Sequence, residues 1–117
     1  MTISTPKNIF SNIPTELPEE FFETLLQQDN IRIERIISKG HHNAANDWYD
    51  QVQDEWIVLL QGQAKLEFYE PASIQLLNSG DYLLIPAHIK HRVAWTLENS
   101  ETIWLAIHIF PNAGNEG

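Results

Sequence analysis

"EWIVLLQGQAKLEFYE", Glu55 to Glu70, changes its periodicity at the glycine near its middle. Before Gly62 the run from Trp56 to Leu60 is continuously apolar, the pattern of a strand covered on both faces. After it, residues 63 to 70 alternate between polar and apolar, as in a strand with one face in water. Gly62 takes a left-handed backbone without steric cost, so the stretch predicts two strands joined by a tight turn.

The same grammar extends outward. "IRIERIIS" lies upstream, and "SIQLL", "DYLLIP", "HRVAWT" and "TIWLAIHIF" follow downstream, separated by Asn-Ser-Gly, Glu-Asn-Ser and similar breaks. Many short strands joined by turns predict an all-β sandwich or small barrel. Ahead of them, residues 1 to 13 read as a polar arm. "TELPEEFFETLLQQDN" then predicts one short helix, because Thr15 can cap, Glu19 and Glu20 suit the positive end of a helix dipole, and Phe21, Phe22, Leu25 and Leu26 make an apolar stripe. The chain divides into an arm and short helix over 1–29, a barrel over 30–110 and a loose tail over 111–117.

One domain fills the 117 residues, and a hydrophobic content of 43% is enough for a single core. The lack of cysteine excludes disulfides, thiolate metal sites and a cysteine nucleophile. Sixteen acids against seven bases give a net charge of -9, which repels phosphate backbones and argues against nucleic-acid binding. No apolar stretch is long enough to span a membrane, and the first ten residues lack the pattern of a secretion signal, so a soluble cytoplasmic protein is expected.

Two spacings stand out. Glu55 is followed by six residues and Gly62, and Gly80 is followed by five residues, Pro86, and His91 five positions on. This ordered pair, "EWIVLLQG" and "GDYLLIPAHIKH", resembles the two motifs of the cupin superfamily, over roughly residues 30 to 110. The runs "RIERIIS", "WYDQ", "DEW" and "WLAIH" are similar to those of small bacterial single-domain cupins. The resemblance implies an antiparallel jelly-roll barrel and a metal ion at its mouth, held by two histidines of an H-x-H element, the glutamate and the second motif's histidine. Carried onto this sequence, the glutamate is Glu55 and the final histidine His91, while Tyr49 and Gln51 stand where the H-x-H histidines belong. His88 occupies a position where glycine is common, and Trp95 one where asparagine is common.

By alternation, Glu55, Ile57 and Leu59 share an inward face, as do His91, Val93 and Trp95. This predicts a pocket with Glu55 and His91 above an apolar floor, with Ile57, Val93, Trp95 and His108 among its walls. A carboxylate and an imidazole suit zinc, nickel, manganese or iron, but three or four donors are usual, so Gln51 and Tyr49 are the expected supplements. Three roles stay open: a metal-dependent enzyme, a metal-free barrel binding a small organic molecule, and a structural barrel. The apolar outer face of Trp56, Val58 and Leu60 predicts cover by another sheet or subunit, and the resemblance, since cupins commonly pair through that region, implies a homodimer.

Overall fold

A computed structural model describes residues 2–111 of the chain. Eight strands follow one another: β1 (Phe21–Gln28), β2 (Ile31–Ser38), β3 (Asp54–Gln61), β4 (Gln63–Phe68), β5 (Ser73–Asn78), β6 (Tyr82–Ile85), β7 (His91–Thr96) and β8 (Thr102–Ile109). All pairings are antiparallel, and the strands form a five-stranded sheet in the order β1-β2-β8-β3-β6 and a three-stranded sheet in the order β5-β4-β7. The expected tail lies, apart from Pro111, outside the described residues.

The short N-terminal helix is not there. Residues 21–28 form strand β1, which pairs with β2 along Phe21↔Ile37 to Gln28↔Ile31. The helical stripe had no core to face: Phe22, Leu25 and Leu26 are 51%, 46% and 42% exposed. The opposite edge of β2 already pairs with β8, so without β1 a row of main-chain donors and acceptors along β2 would lie open. Asp29, at φ 37, and Asn30 turn the chain between β1 and β2. Pairing therefore outweighs a helix signal of two or three turns.

The two sheets enclose a core that includes Ile36, Ile57, Leu59, Leu66, Ile85 and Trp104. Gly62, at φ 96, joins β3 to β4, and a Cβ there would lie 2.5 Å from Thr102 Oγ1 and 2.8 Å from its Cα. Only glycine meets both demands. On the outer side of the large sheet, Leu26, Ile33, Ile107, Trp56 and Leu84 are cross-strand partners in succession, an apolar row that crosses all five strands. The arm is fastened across β2 by Arg35, whose guanidinium donates to the carbonyls of Ile9, Ser11 and Asn12 and pairs with Glu23 at 2.8 Å.

Candidate functional site

A cavity of about 350 Å³ opens between the sheets. Its floor is apolar, with Ile57 from β3, Leu66 from β4, Ile85 from β6, Val93 from β7 and Trp104 from β8. Polar side chains gather on its walls. The inward alternation of β3 delivers Glu55, and the start of β7 delivers His91 from the facing sheet. Backbone hydrogen bonds in both directions between Tyr49 and His91 tie the segment before β3 to the mouth, so Tyr49 and Gln51 also line it.

Glu55 and His91 are 8% and 4% exposed. The Gln51 amide donates to Glu55 Oε1 at 3.1 Å. His91 Nδ1 lies 2.8 Å from the Ile89 carbonyl, which can only accept, so Nδ1 carries a proton and, in the neutral ring, Nε2 presents its lone pair. That nitrogen stands 3.7 Å from Glu55 Oε1, beyond direct hydrogen bonding. Burial pushes the Glu55 carboxyl upward, but His91, His108 and the Gln51 amide outweigh it and hold the group below its ordinary value.

A second polar chain forms the opposite wall. Gln53 Nε2 donates to His108 Nδ1 at 3.2 Å, and His108 Nε2 donates to Glu34 Oε1 at 2.9 Å. Arg32 Nε stands 3.4 Å from Glu34 Oε2, and its guanidinium lies over the Phe110 ring at 5.1 Å. This network fixes the His108 tautomer and engages both of its nitrogens. Glu20 reaches the cavity from the end of the arm, where it accepts from the Ser38 hydroxyl.

Of the residues singled out from sequence, Glu55, His91, Gln51, Tyr49, Ile57, Val93 and His108 line this cavity together. Trp95 does not. A bulge shifts the β4–β7 register so that Leu66 pairs with Val93 but Lys65 with Trp95. The extra residue, Ala94, reverses the alternation, and the indole turns outward beneath Lys65 Nζ, 5.5 Å from its centre. Sequence reasoning missed Arg32 and Glu34, although "IRIERIIS" alternates and Ile36 of the same face is core. Glu20 carried no such signal, since it precedes β1 in a segment read as helix.

The donor set does not fit a divalent metal. Among the described residues, no three histidine, cysteine, aspartate or glutamate side chains converge as ligands. His108 is spent on Gln53 and Glu34, and the Gln51 amide nitrogen faces Glu55. Burial, with Glu20, Asp47 and Glu55 adding to it against a bond from Asn43, raises the Tyr49 phenol, a group that ligates mainly when deprotonated. Two firm donors remain, Glu55 and His91, where three or four are usual.

An antiparallel jelly roll with a cavity between its sheets, and with the Glu55 and His91 motifs supplying its polar wall, defines a cupin barrel. A solved structure from Ralstonia eutropha JMP134, described as a "putative mannose-6-phosphate isomerase", is 39% identical over 92% of this chain and 100% of that one, with a TM-score of 0.87. A cupin superfamily protein from Desulfitobacterium hafniense is 21% identical over 85% of this chain and 84% of its own, with a TM-score of 0.69. A Bordetella pertussis cupin domain is 17% identical over 84% of this chain and 100% of that one, at a TM-score of 0.63. The latter two share the fold. No family model and no curated protein matches. The chain belongs to the cupin superfamily.

Proposed function

We propose that this cupin is a metal-independent barrel that binds a small organic molecule between Glu55 and His91 and the apolar floor. The observation that carries this reading is the uncommitted Nε2 of buried His91, facing a cavity whose donor set falls short of a metal's. A 350 Å³ cavity with an apolar floor and a few convergent polar groups has the size and chemistry of a small-molecule site. The phosphate that the Ralstonia protein's name brings with it is poorly served here. Glu20, Glu34 and Glu55 line the cavity against a single guanidinium, Arg32, itself engaged by Glu34.

Thermal unfolding of the full chain, in the presence of chelator and a panel of small organic molecules, tests this. At least one compound is expected to raise Tm by several degrees, and His91→Ala is expected to remain folded and lose the effect. About one metal ion per chain in freshly purified protein, with a Tm gain from zinc, nickel, manganese or iron, would sink the reading and restore the metal site expected from the family motifs.

For its partner, a second copy of the chain is favoured. The row from Leu26 to Leu84 and the neighbouring Leu105, Val58 and Tyr82 supply an apolar sheet face suited to an isologous contact.

A further inference from the structure

The groups at the Glu55 end of the cavity that are free to engage a ligand include two acceptors, beside the donating hydroxyl of Tyr49. In the neutral ring His91 Nε2 offers a lone pair because its Nδ1 is bound to the Ile89 carbonyl, and among the described residues nothing hydrogen-bonds to it, although the residue is 4% exposed. Glu55 Oε2 likewise has no partner among them, since the Gln51 amide takes Oε1. Both atoms are reachable from the cavity, so either can accept from a ligand that brings N–H or O–H groups. The 3.7 Å between His91 Nε2 and Glu55 Oε1 admits one donor atom placed about 2.9 Å from each.

Charge narrows the choice. Glu20, Glu34 and Glu55 line the cavity, and the Arg32 guanidinium, the cationic side chain among its lining residues apart from the histidines, is engaged by Glu34 and Phe110. Phe22, Tyr49 and Trp104 add aromatic walls, which attract cations through their ring faces. The molecule as a whole carries a net charge of -9, which draws cations and repels anions on approach.

We propose that the cavity takes a protonated primary or secondary amine on a small apolar body, its N–H groups shared between the Glu55 carboxylate and the His91 Nε2 lone pair. The inference rests on the metal-independent binding role proposed above and names its ligand class. The apolar body lies on Ile57, Leu66, Ile85 and Val93. The lone pair of His91 adds a selection that a carboxylate alone lacks. A quaternary ammonium has charge but no N–H to give, and leaves His91 Nε2 unsatisfied.

Titration calorimetry on the full chain, at neutral pH with chelator, tests this with methylamine, benzylamine, cyclohexylamine and cadaverine. Benzyl alcohol, benzoate and benzyltrimethylammonium are the matched comparisons. At least one amine is expected to bind, about tenfold or more tighter than benzyl alcohol and benzyltrimethylammonium, with benzoate weakest and added salt reducing the affinity. Glu55→Gln, which keeps the shape and removes the charge, is expected to weaken amine binding about tenfold, while Trp95→Phe, outside the cavity, leaves it unchanged. The comparisons within the wild-type chain need no variant to fold. Binding of benzyl alcohol, benzoate or the quaternary probe as tightly as the amines overturns the amine inference and leaves the binding barrel standing. Failure of all four amines overturns it as well. If zinc or nickel also stabilises the chain, the metal-independent reading falls with it.

Discussion

Glu20 and Glu55 face the same cavity and titrate in opposite directions. Burial pushes the Glu20 carboxyl upward, against the Ser38 hydroxyl bonded to it and the charge of His41. The folded state therefore holds that proton to higher pH than the unfolded chain, and stability falls as pH rises above the ordinary value of 4.5 toward the folded one. Glu20→Gln is expected to be more stable than wild type at pH 8, with the advantage shrinking toward pH 4; urea midpoints across that range read it. Glu55 behaves conversely. Its lowered value contributes stability that is present above pH 4.5 and lost as pH falls through the folded value. Residue by residue, the site was legible where a motif fixed the register, at Glu55 and His91. It was illegible where one extra residue broke the period, at Trp95. His88 shows why a departure from the family pattern was tolerable: it holds the left-handed backbone, φ 64, that a glycine would adopt, and its ring pairs with Asp50 at 2.8 Å.

Turns and edges decide which elements form. Gly62 and Gly80 have nearly the same backbone, φ 96 and 94, but a Cβ at Gly62 collides with Thr102 while one at Gly80 meets nothing within 4 Å. Gly80→Ala is therefore expected to cost about 1 to 2 kcal/mol from backbone strain alone, and Gly62→Ala roughly 3 kcal/mol or more, as read by equilibrium denaturation. Equal costs would mean that the turn around Thr102 yields. The strands from β2 to β8 were readable because alternation and glycine breaks recur through them. Strand β1 was not, because Phe21, Phe22, Leu25 and Leu26 fit a helical period by chance. What makes it a strand is the open edge of β2, a partner distant from any local window. Arg35 is the other long-range device. Arg35→Met is expected to lower stability by about 2 kcal/mol and to speed proteolysis within residues 8–12, since three carbonyls lose their donor.

At the scale of the whole molecule, two surfaces divide the work. The inner faces of the sheets hold the cavity, and the outer face of the five-stranded sheet carries the apolar row from Leu26 to Leu84. A dimer through that face should sediment at twice the 13.5 kDa chain mass, and Trp56→Lys, at the row's centre, should halve it without unfolding the barrel. A monomeric wild type would count against the contact. The outward direction of Trp56 followed from its alternation with Glu55; the lateral continuity of the row did not, because it depends on four registers at once. The fastening of the arm bears on how such a chain can change over generations. Arg35 grips the main chain at Ile9, Ser11 and Asn12, and a carbonyl is common to every amino acid. Substitutions along that segment are thus largely invisible to the grip, so long as the chain keeps its path. Asn8, whose side chain accepts from the Phe10 amide, and Asn12, with a left-handed backbone at φ 56, are the positions where the arm's own sequence still matters.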